Sequence, residues 1–128
     1  MKLIYPALFH KEDGAVWAEF PDLEGCQTYG ENANETLKLA QEALEGYALA
    51  LLENGESLPA PSDIMDMQTD ENSFTSFVQA DLSLYLKSSK AIKKTLTIPE
   101  WLNTQAVQQG INFSQVLQEA LLTKLHFS

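Results

Sequence analysis

The segment LIYPALFHKEDGAVWAEF, residues 3–20, sets the architecture of the chain because it joins two apolar runs through a turn. Residues 3–11 are apolar at both alternating positions, as expected of a strand buried in the middle of a sheet. Asp13 and Gly14 form a pair that accepts positive φ, and apolar residues resume at 15–20. The segment therefore predicts a β-hairpin with a central first strand.

The residues that follow the hairpin predict a third strand and a long helix. Residues 20–30, FPDLEGCQTYG, place turn residues on both sides of a short strand. Asn32 precedes Glu35 by three positions, which is the spacing of a helix-capping box. Apolar residues then recur at spacings of three and four up to about Glu53, where an Asn-Gly pair favours termination.

The next part of the chain predicts a loop and a fourth strand. Residues 56–73 carry two prolines, five acidic residues and almost no periodicity, which is typical of a loop that is partly mobile. Residues 74–87, FTSFVQADLSLYLK, predict a strand. The order β-β-β-α-β, with a helix on one face of a mostly antiparallel sheet, indicates an α+β domain over residues 1–87.

Charge divides the chain into two parts. The net charge of the 128 residues is −10, and no residue is an arginine. Sixteen acidic residues against three lysines give the chain through Leu86 a net charge of −13, whereas the remainder carries +3. We expect the acidic part to repel nucleic acid and the basic part to be attracted to phosphate.

The chain is expected to reside in the cytoplasm. No apolar run approaches the length of a membrane span, and the N-terminal residues lack the pattern of a cleavable signal. Cys26 is the single cysteine, so it has no partner for an internal disulfide, and we interpret it as a small buried apolar residue.

Residues 92–128 follow a hinge at 88–91 and have a pattern of their own. IKKTLTI alternates, Pro99 suits the first turn of a helix, and Gly110 separates that helix from a second one. A β-α-α unit of this size cannot enclose a core alone. We therefore predict a homodimer through residues 92–125, with two strands paired as an antiparallel ribbon over four helices.

Such a ribbon fits the DNA major groove. The predicted DNA contacts are the outward strand residues and the N-terminus of the second helix: Lys93, Thr95, Thr97, Asn112, Phe113 and Ser114. Two alternatives remain open. The lysines at 93 and 94 could protect an edge strand against aggregation, and the two helices could form a helix-turn-helix, although its recognition helix would offer few contacts.

KTLTIPEWLNTQAVQQGINFSQVLQEAL resembles the ribbon-helix-helix repressors, which have a strand, a proline, a helix, a G-I-N-F-S turn and an apolar second helix. The resemblance covers about residues 92–125, and its base-contacting positions fall on Lys93, Thr95 and Thr97. Lys94 departs from the pattern because it lies on the apolar face of the strand.

Residues 1–63 are similar to the HicB antitoxins, which share the strand pair, F-P-D-L-x-G-C, a T-x-G turn, a capped helix and x-G-x-x-L-P-x-P-S in that order. The resemblance implies a reduced ribonuclease-H-like domain that silences a small basic ribonuclease toxin, HicA, by occlusion. It also implies that the C-terminal module binds operator DNA and represses the operon.

A basic toxin would be attracted by the acidic domain. The candidate toxin contacts are an aromatic residue and acidic residues that we expect at one end of the sheet and helix: Trp17, Asp22, Glu24, Glu31 and Glu35. For each of them the alternative is an ordinary structural role, with the charges providing solubility and Trp17 lying in the core.

Catalysis is not expected. Residues 3–11 of the predicted central strand contain no carboxylate, although a two-metal nuclease of the ribonuclease-H layout would place one there. We predict no cofactor and no metal. Two other functions stay open, namely a solo ribbon-helix-helix regulator whose α+β domain senses a ligand, and a residual nuclease using acidic residues such as Glu19 and Asp22.

Overall fold

The computed structural model describes residues 2–88 and 90–125. Its elements are β1 (Lys2–Glu12), β2 (Ala15–Glu19), β3 (Gln27–Gly30), α1 (Ala33–Glu53), a short 3-10 turn (Ile64–Asp66), β4 (Ser73–Asp81), α2 (Ser83–Ser88), α3 (Glu100–Gln108) and α4 (Phe113–Lys124). Within the described ranges, no helix is both long enough and apolar enough to cross a membrane.

The four strands form one antiparallel sheet in the order β3-β2-β1-β4. The predicted hairpin and the central position of β1 are confirmed. Asp13 and Gly14 have φ values of 51° and 81°, so the turn between β1 and β2 uses the left-handed conformation that this pair accepts.

Helix α1 covers one face of the sheet and creates the core. Asn32 caps the helix, since its side chain accepts a hydrogen bond of 2.9 Å from the backbone N–H of Glu35. The odd-numbered residues of β1 point towards α1, and their side chains at positions 3, 5, 7 and 9 are at most 1% exposed. The helix contributes Ala40, Leu44 and Ala48 to the same core.

Close contact between β3 and the first turn of α1 positions the helix. Thr36 is fully buried, and its hydroxyl lies 2.8 Å from the carbonyl oxygen of Val16 and 2.9 Å from that of Asn32. Gly30 lies beside it, and a Cβ at that position would come within 2.8 Å of the Thr36 hydroxyl and 3.0 Å of its backbone nitrogen. The helix can therefore approach the sheet this closely only where β3 carries no side chain.

The predicted fourth strand is too long at its C-terminal end. β4 ends at Asp81, and residues 83–88 are helical. The Asp81 carboxylate accepts hydrogen bonds from the hydroxyl and the backbone N–H of Ser83, and these bonds lower the pKa of Asp81. A side-chain acceptor before the first helical turn ends the strand and starts α2.

The loop between α1 and β4 is anchored to the sheet. Leu58 is 3% exposed, and the Tyr5 hydroxyl donates a hydrogen bond to the carbonyl oxygen of Pro59. Asp63 starts the 3-10 turn by accepting a hydrogen bond from the backbone N–H of Met65. The absence of periodicity correctly predicted a loop over 56–73, but it did not show these contacts.

Cys26 is 5% exposed, and burial raises the pKa of its thiol to about 11. The thiol is therefore protonated at neutral pH and packs as a small apolar side chain. This agrees with the sequence interpretation.

The C-terminal part has the predicted helices. α3 ends before Gly110, whose φ is 66°, and Asn112 caps α4 by accepting a hydrogen bond of 3.1 Å from the N–H of Gln115. Residues 90–99 form neither helix nor strand in the single chain. The predicted strand would need to pair with a second chain, so its formation stays a prediction.

We predict opposite effects for two glycine-to-alanine substitutions. Gly30→Ala should destabilise the fold by about 1–3 kcal/mol, because the new methyl group meets Thr36. Gly46→Ala, in the interior of α1, has no atom within 4 Å of the new Cβ and should stabilise it by about 0.5–1 kcal/mol. Urea denaturation followed by circular dichroism measures both, and equal effects would contradict the proposed close approach.

Candidate partner-binding surfaces

The face of the sheet opposite α1, the uncovered face, is formed by the even-numbered residues of β1 and their cross-strand neighbours. It comprises Ile4, Pro6, Leu8 and His10 of β1, Trp17 and Glu19 of β2, Gln27 and Tyr29 of β3, and Thr75, Phe77 and Gln79 of β4. Ile4, Phe77 and Tyr29 are 45%, 59% and 70% exposed. Pro6 is fully buried, and Leu8, His10, Trp17 and Glu19 are half-buried. The face is therefore partly apolar and presents three large side chains to solvent without being exposed throughout.

Trp17 is held in place on the uncovered face by its neighbours. The His10 ring stacks on the indole with 4.3 Å between centroids, and His10 Nε2 lies 2.8 Å from Glu19 Oε2. Tyr29 lies directly opposite Trp17 on β3. Trp17 is half-buried and lies outside the core cluster, so the alternative that placed it in the core is wrong.

Asp22 joins two loops. Its carboxylate accepts hydrogen bonds from the backbone N–H of Ser62, at 2.9 Å, and from the Ser62 hydroxyl. Tyr5 reaches the same loop through Pro59, and the two contacts bring the F-P-D-L and L-P-x-P-S segments together. Asp22 therefore has a structural role, whether or not it also contacts a partner.

The four acidic candidates do not form one patch. Glu24 lies in the turn before β3, whereas Glu31 and Glu35 follow the far end of that strand. The expectation that all four lie at one end of the sheet is wrong, because a four-residue strand of about 13 Å separates the two pairs. The Glu35 side chain also accepts a hydrogen bond of 3.3 Å from the N–H of Glu31, the residue before the N-cap.

The predicted DNA-contacting residues all lie at the surface. Lys93, Thr95 and Thr97 are exposed within residues 90–99. Phe113 and Ser114 form the first turn of α4, directly after the capping residue Asn112, and both are exposed. The N-terminus of α4 is thus accessible in the single chain.

Apolar side chains of the C-terminal part are exposed to an extent that is unusual for a folded unit. Those that are at least 40% exposed are Ile92, Leu96, Ile98, Trp101, Leu102, Val107, Ile111, Phe113, Val116, Leu121 and Leu125. Leu122 is partly buried against the core of the N-terminal part. A single copy of the β-α-α unit therefore leaves most of its apolar surface in water.

Comparison with known proteins identifies the family. Residues 5–122 match the family described as HicB_like antitoxin of bacterial toxin-antitoxin system. The chain belongs to the HicB-like antitoxin family. A comparison with curated proteins finds no match.

Solved structures agree with this assignment. The antitoxin is 38% identical to a chain of a toxin-antitoxin complex from Streptococcus pneumoniae, with a TM-score of 0.61 and coverage of 97% of this chain and 99% of that one. It is 30% identical to the antitoxin HicB3, with a TM-score of 0.67 over 98% of this chain and 100% of that one. A chain of the HicA3 and HicB3 complex is also 30% identical, with a TM-score of 0.52 over 62% of this chain and 99% of that one.

These findings bear out three predictions, namely the antitoxin family, the mixed α+β fold with a four-stranded antiparallel sheet, and the absence of enzymatic function. The family and its structural neighbours are antitoxins, which are not enzymes. Within the described part of the chain, no group of three potential ligands is arranged to hold a metal ion.

The sequence interpretation overlooked most of the uncovered face. Tyr29, Phe77 and Ile4 were not proposed as contacts, because both faces of β1 are apolar and suggested burial on both sides. A signal was nevertheless available: the sequence provides one long amphipathic helix for the N-terminal domain, and one helix covers one face of a sheet.

We predict that Tyr5 contributes to the pH dependence of stability. Burial, and secondly the charge of Asp22, raise the pKa of Tyr5 above its ordinary value of 10.0. The folded state then binds the phenolic proton more tightly than the unfolded state. This contribution is complete below pH 10 and is lost as pH rises through the folded-state pKa.

Tyr5→Phe should therefore show a smaller loss of unfolding free energy above pH 10 than the unsubstituted chain. At neutral pH it should cost about 0.5–1.5 kcal/mol for the hydrogen bond to Pro59. Urea denaturation across the alkaline range measures both effects. Identical alkaline slopes for the two proteins would show that Tyr5 titrates normally.

Proposed function

We propose that this antitoxin neutralises a HicA-like, mRNA-cleaving toxin by occlusion through residues 1–87. We further propose that it represses its own operon as a ribbon-helix-helix dimer. Membership of the HicB-like family and similarity to chains from two toxin-antitoxin complexes support the first part. We propose that both activities occur in the cytoplasm, where mRNA and operator DNA are found.

The observation that carries the proposal is the division of the chain into an acidic folded domain and a basic tail with exposed apolar residues. The domain through Leu86 has a net charge of −13. A toxin that binds RNA presents cationic groups to phosphate, and an acidic protein surface competes for them. Neutralisation by occlusion needs no chemistry from the antitoxin.

A reduced ribonuclease-H-like domain fits the sheet order and the single covering helix. The central strand β1 carries a carboxylate only at its last residue, Glu12, and residues 3–11 have none, which argues against metal-dependent hydrolysis by this domain. Under this proposal the domain serves for binding.

Dimerisation is supported by the exposed apolar side chains of the tail. Leu96 and Ile98 are 56% and 46% exposed in the single chain, and the helices expose a further set. Pairing residues 92–98 with the same segment of a second chain would form the ribbon and bring four helices together. Burial of apolar area stabilises such an assembly by about 25 cal/mol per Å².

The proposed dimer directs Lys93, Thr95 and Thr97 outwards from both strands. The exposed N-termini of the two α4 helices, at Asn112, Phe113 and Ser114, offer backbone N–H groups to DNA phosphates. Strand residues would read base edges in the major groove, while the helix ends would fix the register.

We predict that residues 1–87 alone neutralise the toxin. The buried core runs from Leu3 to Leu82, so the fragment retains it. Coexpression of the fragment with a HicA-like toxin should restore growth. A folded fragment that fails to protect cells would contradict the assignment of neutralisation to this domain.

We predict a separate effect for the tail. Replacing Lys93, Thr95 and Thr97 together with alanine should abolish operator binding in an electrophoretic shift assay, while growth protection should remain. Binding by the unsubstituted dimer should weaken as salt rises, because lysines displace counterions from DNA. Unchanged DNA affinity in the variant would refute the ribbon assignment.

A further inference from the structure

We infer that the toxin docks on the uncovered face of the sheet, with Trp17, Tyr29 and Phe77 as its apolar contacts and Glu12 as a partner for a basic side chain. This inference rests on the proposed function and specifies the surface through which it acts. The outer side of α1, which is also acidic, is the competing location.

Exposed apolar surface favours the uncovered face. Among the residues of the N-terminal domain whose side chains the structure describes, the exposed large apolar ones are Ile4, Tyr29, Met65, Phe74, Phe77 and Leu84. Three of these six belong to the uncovered face, and none belongs to α1. Interfaces derive most of their affinity from a few buried anchors, among which aromatic residues are enriched.

The aromatic side chains form a continuous row across three strands. Tyr29 lies opposite Trp17, which lies opposite and stacks on His10. Phe77 lies opposite Pro6, four residues along β1 from His10, or about 13 Å. The contacts therefore extend over all four strands, an area suited to a folded protein.

Charge at the rim specifies a basic partner. A shallow groove at one end of the face is lined by the aromatic pair and by the carboxylates of the hairpin: Glu12, Asp13, Trp17 and Tyr29, together with Ala15, Gln27 and Thr28. A lysine or arginine side chain that enters this groove meets an aromatic surface and a carboxylate together. Both interactions favour a cationic protein over a neutral one.

The outer side of α1 provides only polar recognition. Its groove against the end of β4 is lined by Lys38, Gln41, Glu42, Glu45, Gln79, Ala80 and Asp81. The cation at Lys38 opposes a basic partner. This groove has carboxylates comparable to those of the uncovered face but no exposed aromatic side chain among its lining residues.

The test compares matched variants of the full-length antitoxin. The binding partner is a basic HicA-like toxin inactivated at its candidate catalytic histidine, and isothermal titration calorimetry gives the Kd. Glu12→Lys and Glu45→Lys change the net charge equally at exposed positions on the two competing surfaces. Glu12→Lys should weaken binding by about tenfold or more, whereas Glu45→Lys should change it by less than about threefold.

Apolar truncations form the second comparison. Tyr29→Ala and Phe77→Ala should each weaken binding by about tenfold or more, whereas Leu84→Ala, at a side chain that is 83% exposed on α2, should not. Since all three side chains are exposed, the thermal unfolding midpoints should stay close to that of the unsubstituted chain.

The outcomes separate the inference from the proposed function. If the unsubstituted antitoxin does not bind the basic protein, the proposed function is wrong. If it binds and the Glu12, Tyr29 and Phe77 variants bind equally well, or Glu45→Lys is the damaging change, the docking surface is wrong. A change in the antitoxin's own oligomeric mass with unchanged toxin affinity would assign the face to a second copy and also overturn the inference.

Discussion

The close approach of α1 to β3 determines which part of the sheet becomes core. Thr36 reaches the carbonyl oxygen of Val16 because Gly30 leaves room for the first turn of the helix. That contact fixes α1 over the odd-numbered residues of β1. Since the N-terminal domain has no second helix of comparable length in the described residues, the opposite face leaves Ile4, Tyr29 and Phe77 exposed to water.

The sheet thus has one face buried in the core and an opposite face whose exposed side chains are accessible to a partner. Core residues of the covered face are almost fully buried, whereas Tyr29 and Phe77 expose more than half of their surface. The stacking of His10 on Trp17 and its contact with Glu19 restrict side chains that would otherwise be free to rotate. A surface that is already ordered loses less conformational entropy when a partner binds, so this arrangement favours recognition.

Local signals in the sequence were enough to predict most of the elements. Asp13-Gly14 predicted the hairpin turn and Asn32 predicted the start of α1, because each depends on contacts within a few residues. The end of β4 was missed, since the apolar pattern after Asp81 suits a strand and a helix equally. The strand ends at Asp81 because the backbone N–H and the hydroxyl of Ser83 donate hydrogen bonds to the Asp81 carboxylate, which favours the start of a helix.

Features that depend on distant parts of the chain were the ones that sequence patterns could not resolve. Asp22 is an acidic surface residue by composition, yet it binds Ser62, forty positions away. The acidic candidates likewise looked like one group, because their separation is set by the sheet register and not by their spacing along the chain. The family resemblance identified the N-terminal domain, but it did not indicate which face of the sheet binds a partner.

In the proposed function the tail needs a second chain to bury its apolar side chains, whereas the N-terminal domain does not. The domain encloses its core with one helix on one sheet, whereas residues 90–99 form neither helix nor strand in the single chain. In the proposed dimer, two domains of charge −13 flank a basic ribbon. At physiological salt, charges more than about 8 Å apart are largely screened. In the proposed function, the separation of the two charges along the chain would therefore allow the ribbon to attract DNA while the domains attract a basic protein.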